Sequence, residues 1–189
     1  MRKVIFFNFI TLDGFFEGVN KELDWHNVDA EFNEFATEQL LSADMLLFGR
    51  VTYELMASYW PTENGIKDDP TIANKMNSIP KIVFSRTLKK ADWNNTKLVK
   101  ENIEAEVEKL KQQPGKNIFV LGSADLSSTL IKSNLIDEYR IMINPLLLGK
   151  GRPLFKGMSE KLNLKLIKTK VFNSGNVLLF YEPLSNKTI

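Results

Sequence analysis

The chain has 189 residues, 43% of them hydrophobic and 25% charged, and its formal net charge is only +2 at pH 7. This length and composition are typical of a globular protein with one substantial core, and so small a charge does not favour nucleic acid or an anionic membrane as a partner. Cysteine is absent and His26 is the only histidine, which excludes disulfides and the usual thiolate and multi-histidine metal sites.

The first predicted element is a buried strand over Val4–Ile10. A basic start followed by an apolar run also occurs in signal peptides, but this run is short and ends in a turn at 11–14. No apolar stretch approaches the ~20 residues that a membrane-spanning helix needs. Together with the absence of cysteine, these features predict a cytoplasmic protein without a membrane partner.

Short apolar runs then alternate with segments of helical periodicity. This alternation predicts βαβ units, and hence a mostly parallel sheet with helices on both faces. The polar segment 62–77 is predicted to be a long loop, and such loops often cover binding sites. Predicted strands are Val4–Ile10, Met45–Phe48, Ile82–Phe84, Thr96–Val99 and Ile118–Leu121, and predicted helices lie near Glu31–Leu41, Thr52–Tyr59, Ile103–Gln112 and Asp125–Ser133.

The last third of the chain has a different pattern, because its predicted strands have no helix between them. Asn173–Asn176 is predicted to be a hairpin turn, so antiparallel strands should complete one edge of the sheet. Alternating lysines near this turn could suggest an RNA-facing strand, but they fit better the solvent-facing side of an edge strand. We expect one domain over 1–183 and a frayed tail over 184–189. The predicted strands here are Tyr139–Ile143, Leu162–Phe172 and Val177–Tyr181.

The residues that directly follow one predicted strand, which we call a strand exit, are the strongest indication of a binding site. An apolar strand runs into Gly49-Arg50-Val51-Thr52, and a helical pattern begins at once. Gly49 allows a close backbone approach, Arg50 can form paired hydrogen bonds to a phosphate, and Thr52 can cap the new helix. The free N–H groups at the start of that helix then favour an anion. Taken alone, the same corner could also be purely structural.

Two further strand exits have a similar character. Ser85-Arg86-Thr87 follows one predicted strand, and Gly122-Ser123-Ala124-Asp125 follows another. In an open α/β sheet, ligands bind beyond the carboxyl ends of the strands, so these exits should lie at one edge. An arginine flanked by hydroxyl groups suits a 2′-phosphate, which favours NADPH over NADH. Each exit alone could be a solvated loop or a tight turn, but the three together predict a nucleotide site.

A set of motifs extends in order over nearly the whole chain. They are Thr11-Leu12-Asp13-Gly14-Phe15, Leu23-Asp24-Trp25, Phe48-Gly49-Arg50-Val51-Thr52-Tyr53-Glu54, Val83-Phe84-Ser85-Arg86-Thr87-Leu88, Gly122-Ser123-Ala124-Asp125-Leu126, Leu135-Ile136-Asp137-Glu138-Tyr139-Arg140, Asn144-Pro145, Leu148-Gly149-Lys150-Gly151-Arg152-Pro153-Leu154-Phe155 and Ser174-Gly175. The set resembles the dihydrofolate reductase-like superfamily. Specifically, it resembles the reductase domain at the C-terminal end of bacterial bifunctional deaminase-reductases of riboflavin biosynthesis, here in a stand-alone form. The resemblance implies a three-layer α/β/α fold, an NADPH-dependent reductase and a homodimer.

The resemblance also implies three cofactor-binding segments. The family commonly has a second glycine where this chain has Ser123. The riboflavin enzymes often have a glutamate, used toward the pyrimidine, where this chain has Leu121, and this difference argues against a pyrimidine substrate. The cofactor phosphates would be held by Gly49, Arg50, Val51 and Thr52; the 2′-phosphate by Ser85, Arg86 and Thr87; and the pyrophosphate and nicotinamide ribose by Leu121, Gly122, Ser123, Ala124, Asp125 and Leu126.

Hydride transfer belongs to the cofactor, so the protein would bind the acceptor and supply a proton where one is needed. The proton-donor candidates are Asp13, after the first strand, and Asp29, before the first helix. Each has a structural alternative: a turn cap for Asp13 and a helix N-cap for Asp29. His26 could relay a proton, although a lone loop histidine is more often incidental. The expected substrate contacts are Phe15, Trp25, Glu31 and Trp60.

The leading hypothesis is therefore an NADPH-dependent reductase of a small heterocyclic or carbonyl-type substrate. Two alternatives remain open. One is reduction of 5-amino-6-(5-phosphoribosylamino)uracil in riboflavin biosynthesis, and the other is a nucleotide-binding module without catalysis. The expected partners are NADPH, a small-molecule substrate and, through segment 146–155, a second copy of the chain. No nucleic acid is expected as a partner.

Overall fold

An eight-stranded sheet forms the centre of the computed structural model, which describes residues 1–158 and 160–184. Helices and strands follow one another largely as predicted, and the bounds of the predicted elements differ by at most two residues at each end. In chain order they are β1 (Val4–Thr11), β2 (Phe15–Glu17), α1 (Ala30–Leu41), β3 (Ala43–Gly49), α2 (Arg50–Ala57), α3 (Glu63–Asp68), α4 (Pro70–Ser78), β4 (Lys81–Phe84), β5 (Thr96–Val99), α5 (Ile103–Gln112), β6 (Asn117–Leu121), α6 (Ala124–Lys132), β7 (Glu138–Asn144), β8 (Arg152–Pro153), β9 (Leu164–Val171) and β10 (Val177–Pro183).

The strand order in the large sheet is β5-β4-β3-β6-β1-β7-β10-β9. All neighbouring strands from β5 to β7 run parallel, as the βαβ pattern predicts. Strand β10 pairs antiparallel with both β7 and β9, so a hairpin completes one edge. Its turn is at 173–176, where Gly175 has φ of 87° and donates its N–H to the Phe172 carbonyl oxygen (2.9 Å). The predicted mixed sheet, parallel except at its C-terminal edge, is confirmed.

Two hydrophobic clusters, one on each face of the sheet, form the core. In β1, Phe7 and Phe9 belong to one cluster while Val4 and Phe6 belong to the other, because successive side chains of a strand point to opposite faces. Helices α1, α2 and α4 bury residues in the first cluster, and α5 and α6 bury residues in the second. The chain therefore has the three layers that the resemblance implies.

The prediction of a long loop over 62–77 is wrong, because this segment forms α3 and α4. Thr62 caps α3 by accepting a hydrogen bond from the Gly65 N–H (3.2 Å), and Asp69 caps α4 by accepting one from the Ile72 N–H (2.9 Å). Helix α4 then buries its apolar residues against the first cluster. Because the segment is mostly polar, its two short capped helices could not be recognised from an apolar pattern in the sequence.

A second difference is a two-stranded ribbon formed by β2 and β8. Phe15 pairs with Pro153 and Glu17 with Arg152. These strands have three and two residues, which is too short for an alternating pattern to be recognised in the sequence. Strand β2 also contacts β1, so the ribbon lies near the middle of the sheet.

Only Leu184 of the predicted tail 184–189 lies within the described residues, and its N–H donates to the Asn163 carbonyl oxygen (2.9 Å). In the part of the chain that the structure describes, every helix is too short or too polar to cross a membrane.

Candidate functional site

The carboxyl ends of three neighbouring parallel strands, β4, β3 and β6, meet at one edge of the sheet. Gly49 at the end of β3 is paired with Phe84 at the end of β4. The three predicted strand exits therefore lie side by side, as a single binding site beyond the strand ends would require.

A cavity of about 310 Å³ lies at this edge. Its walls are formed by the β3–α2 corner (49–52), the start of α6 (123–126), Phe84 and residues of the ribbon. Two of the three predicted cofactor segments thus share one cavity. The third, Ser85-Arg86-Thr87, follows Phe84 directly but does not contribute to the walls that the described residues form.

Helix α2 begins directly after Gly49, which is its N-cap residue. Thr52 does not cap this helix, contrary to the prediction, because it lies within the first turn and the cap position belongs to a residue without a side chain. The N-terminal N–H groups of α2 therefore have no side-chain cap at the wall of the cavity. This is the arrangement in which the start of a helix binds an anion.

Ser123 connects the two corners of the cavity. Its hydroxyl accepts a hydrogen bond from the Gly49 N–H (2.7 Å) and donates one to the Thr52 hydroxyl (2.8 Å). Ser123 and Gly122 both have left-handed backbone conformations, with φ of 62° and 58°. That conformation costs a residue with a side chain about 1–2 kcal/mol. The two hydrogen bonds offset this cost, so serine is tolerated where the family commonly has glycine.

Two predicted arginines differ in their surroundings. Arg50 lines the cavity and pairs with Glu54 one turn further along α2 (2.9 Å), but both side chains are more than two-fifths exposed and the pair is weak. Arg86 is exposed beside a closed turn, in which the Ser85 hydroxyl accepts a hydrogen bond from the Thr87 N–H (3.2 Å). Arg50 is therefore directed to the cavity by its helix, whereas Arg86 extends from a turn next to it.

The ribbon contributes Arg152 and Glu17 to the cavity, and neither is among the site residues predicted from the sequence. Arg152 pairs with Glu17 (3.3 Å) and with Asp125 in the first turn of α6 (2.5 Å), and its guanidinium lies 5.4 Å from the centroid of the Phe16 ring. Burial lowers the pKa of Arg152, but Asp125 and Glu17 together outweigh burial and raise it. The only sequence signal was an arginine held between glycine and proline, in a segment predicted to be a dimer contact.

The two proposed proton donors are both engaged in turns or caps. Asp13 accepts hydrogen bonds from the Thr11 hydroxyl (2.5 Å) and from the N–H groups of Leu148 (3.1 Å) and Gly149 (2.7 Å). These bonds, first of all that from Thr11, lower the pKa of Asp13. Asp29 is the N-cap of α1 and accepts a hydrogen bond from the Phe32 N–H (2.8 Å). Neither carboxylate lines the cavity.

The segment between β2 and α1 packs against the first hydrophobic cluster, on the face of the sheet opposite to the cavity. Trp25 donates its indole N–H to the Glu22 carbonyl oxygen (3.2 Å) and packs edge-on against His26. His26 stacks on Phe9 with ring centroids 4.4 Å apart, and burial lowers its pKa from 6.5 to about 4. The imidazole is therefore neutral at pH 7 and is part of the core packing. Glu31, in the first turn of α1, is also engaged in a structural contact, since its carboxylate accepts a hydrogen bond from the Asn173 N–H in the hairpin turn (2.9 Å).

The other two predicted substrate contacts also lie outside the cavity lining. Trp60 packs against the first hydrophobic cluster, and its indole nitrogen lies 3.3 Å from the Met56 sulfur. Phe15 pairs with Pro153 in the ribbon, while the next residue, Phe16, is the one that lines the cavity. Among residues 1–158 and 160–184, no group of three or more histidine, cysteine, aspartate or glutamate side chains could hold a metal ion.

Comparison with known proteins finds relatives that match this chain over almost its full length. The family model described as the RibD C-terminal domain matches residues 2–178. YyaP of Bacillus subtilis (strain 168), described as an uncharacterized protein, is 38% identical over 181 residues, which are 96% of this chain and 95% of YyaP.

Solved structures show the same fold. A putative riboflavin biosynthesis protein from Shewanella sp. PV-4 matches with a TM-score of 0.74 and 26% identity, over 96% of this chain and 99% of that one. The diaminohydroxyphosphoribosylaminopyrimidine deaminase/5-amino-6-(5-phosphoribosylamino)uracil reductase from Thermotoga maritima matches with a TM-score of 0.70 and 17% identity, over 97% of this chain but 57% of that one. Because the family model matches residues 2–178, almost the whole chain, this chain belongs to the RibD C-terminal domain family, whose fold is that of a dihydrofolate reductase-like reductase.

Proposed function

We propose that this chain is an NADPH-dependent reductase of a small heterocyclic or carbonyl-type molecule. The observation that carries the proposal is the cavity between the β3–α2 corner and the start of α6. Membership of the RibD C-terminal domain family suggests use of a nicotinamide cofactor. The cavity offers two helix starts without side-chain caps together with the guanidinium of Arg50, and these are groups that bind a diphosphate.

The residues at the cavity fit such a cofactor. Gly122 allows the β6–α6 turn to pass close to α2, because a Cβ at this position would lie only 3.2 Å from the Thr52 side chain. If the cofactor binds in this cavity, its phosphates and nicotinamide ribose would be held by two segments, Gly49–Thr52 and Gly122–Leu126. Arg86, exposed at the neighbouring exit, would hold the 2′-phosphate.

A bound nicotinamide cofactor would supply the hydride, and the chain would orient both reactants and exclude water between them. Phe16 and Phe84 give the cavity apolar walls against which a flat ring can pack. Of the two carboxylates considered as proton donors, Asp13 is the weaker candidate, because its lowered pKa favours the ionised form and both its oxygens accept hydrogen bonds. Asp29 uses one oxygen as an N-cap, and we retain it as the proposed donor.

Cofactor binding tests the proposal directly, by titrating NADPH and NADH into the purified protein and following cofactor fluorescence. We expect NADPH to bind more tightly than NADH. Arg50→Ala should weaken both cofactors about tenfold, since it removes a charged hydrogen-bond donor from the shared phosphates. Arg86→Ala should weaken NADPH alone, since only NADPH has a 2′-phosphate.

The matched control is Lys165→Gln, which removes an exposed ion pair with Glu182 far along the sheet and should leave both affinities unchanged. If neither cofactor binds the wild-type protein, the proposed function is wrong. If both bind but Arg50→Ala changes nothing, the assignment of the cavity to the cofactor phosphates is wrong.

A second candidate is reduction of 5-amino-6-(5-phosphoribosylamino)uracil. It is favoured by two of the matching structures, one described as a putative riboflavin biosynthesis protein and the other as a deaminase/reductase that includes this activity. Leu121, in the place where the riboflavin enzymes often have a glutamate, argues against it. A third possibility, a module that binds nucleotide without catalysis, predicts cofactor binding with no oxidation of NADPH by any acceptor.

We also propose that the chain forms a homodimer through segment 146–155. Leu147 and Phe155 in this segment are 71% and 46% exposed, and a second copy of the chain would remove this apolar surface from water. Light scattering after size-exclusion chromatography measures the mass in solution. A monomer at all concentrations would contradict the proposal.

A further inference from the structure

We propose that Arg152 is a binding residue for a phosphate-type oxyanion and that Asp125 occupies its outer side until such an anion enters. The inference rests on the proposed function of the cavity and adds a residue to it. Arg152 reaches the cavity from the ribbon, on a different part of the chain from both helix starts. It is a second guanidinium on the cavity wall besides that of Arg50.

The two partners of Arg152 differ in how firmly they hold it. The Glu17 side chain is 11% exposed and is fixed opposite Arg152 by the pairing of β2 with β8. The Asp125 side chain is 91% exposed and belongs to α6, a separate element. An ion pair with so exposed a partner contributes little, because water and salt screen it. Glu17 therefore holds the guanidinium in place, whereas Asp125 can be exchanged for another anion.

The geometry of the pairing supports such an exchange. Glu17 bonds to Nη1 of Arg152 and Asp125 to Nη2, so that releasing Asp125 frees one edge of the guanidinium. The Phe16 ring, 5.4 Å from the guanidinium carbon, supports the planar group from one side. An oxyanion with three terminal oxygens can take the freed edge in place of one carboxylate oxygen.

A neighbouring contact increases the importance of this cation. The N–H of Gly49, the residue before α2, already donates to the Ser123 hydroxyl. That N–H is therefore not free for an anion, and a phosphate in the cavity must rely more on the arginines. The anion could be a phosphate of the cofactor or a phosphate carried by the hydride acceptor. Both have the same chemistry, and the experiment separates them.

The experiment measures binding by calorimetry in low-salt buffer, with inorganic phosphate as the first probe and the protein without cofactor. Asp125→Asn, which keeps the shape of the side chain but removes its charge, should bind phosphate about two- to fivefold more tightly, because the competing carboxylate is lost. Arg152→Gln should bind it about tenfold more weakly, and Arg152→Lys should fall between, since lysine keeps the charge without the planar fork.

Two further titrations separate the sources. If NADPH binds about tenfold more weakly to Arg152→Gln and displaces inorganic phosphate, the anion is a phosphate of the cofactor. If NADPH affinity is unchanged and the NADPH complex binds ribose 5-phosphate but not ribose, the anion belongs to the acceptor. Either result supports the assignment of Arg152.

The assignment is overturned if wild type, Asp125→Asn and Arg152→Gln bind phosphate equally, or if none of them binds it. Thermal unfolding is measured alongside each titration. If the ion pair were purely structural, removing it would lower the melting temperature without changing phosphate affinity. Should Arg152→Gln fail to fold, the gain expected for Asp125→Asn still decides the question. Since the phosphate titration needs no cofactor, a protein that binds phosphate at Arg152 but no NADPH would disprove the proposed function alone.

Discussion

The two groups of polar residues predicted to form the site differ in how their hydrogen-bonding capacity is used. At the β3 and β6 exits, the helix starts after Gly49 and Ser123 have no side-chain caps, and Arg50 has only an exposed partner. After β1, by contrast, Asp13 accepts three hydrogen bonds and Asp29 caps α1. Groups of the first kind remain available to a ligand, whereas groups of the second kind stabilise the chain itself.

The comparison shows why residue type alone separates function from structure poorly. An aspartate before a helix is equally suited to capping and to catalysis, and the sequence around Asp29 is compatible with both. What distinguishes the cavity side is that residues from separate parts of the chain line one space without filling it. Ser123 joins Gly49 and Thr52, and Arg152 joins Glu17 and Asp125. Changes on the two sides should therefore affect different measurements.

The largest expected effect is on stability and concerns His26, on the structural side. Its pKa is about 4 in the folded chain against 6.5 for the free side chain, so between these pH values the unfolded chain binds a proton that the folded chain does not. The contribution of the neutral imidazole to the free energy of unfolding is therefore complete above pH 6.5. As pH falls toward 4 the free energy of unfolding decreases, by up to about 3 kcal/mol. Urea unfolding from pH 7 to pH 4 measures this loss.

His26→Gln is the control, because glutamine does not titrate in this range. The difference in unfolding free energy between wild type and variant should change with pH, while NADPH affinity of the folded protein at pH 7 stays the same. Parallel stability curves for the two proteins would show that His26 is not the titrating group.

A smaller effect is expected at Gly122, on the cavity side. Gly122→Ala introduces a side chain at φ of 58°, and its Cβ would lie 3.2 Å from Thr52, so we expect a loss of about 2 kcal/mol in stability together with weaker NADPH binding. Gly157→Ala is the matched control, since Gly157 has φ of 72° with no atom within 4 Å of the added Cβ. Gly157→Ala should be less stable than the wild-type protein but should bind NADPH equally well. Equal affinities for the two variants would contradict the proposed site.

The smallest effect is expected at Asp29, where capping and catalysis can be separated. Asp29→Ala should cost about 1 kcal/mol of stability by removing the cap of α1, and Asp29→Ser should restore it, since serine is also a good N-cap. Cofactor affinity should be unchanged in both. If Asp29→Ser is stable but turns over an acceptor far more slowly, Asp29 is the proton donor. If its turnover equals that of wild type, the residue is a cap only.

Much of the fold could be predicted because periodicity is a local property. The strand around Phe6 and Phe7 reads as a continuous apolar run since both of its faces are buried, and α1 shows its apolar side chains at helical spacing. The segment 62–77 could not be predicted in this way. Its helices are short and polar, and their caps and the burial of Ile72 become apparent only when α4 packs on the core.

By itself, the sequence determined the α/β class, the order of most elements and the glycine and arginine at the end of β3, because these depend on residues that are neighbours along the chain. Only the tertiary structure decided which polar residues share a cavity. Strand order brings Gly49 beside Ser123, 74 positions apart, and the ribbon brings Arg152 to Asp125, 27 positions apart. Such contacts cannot be predicted from a local sequence pattern, because they follow from the packing of the whole sheet.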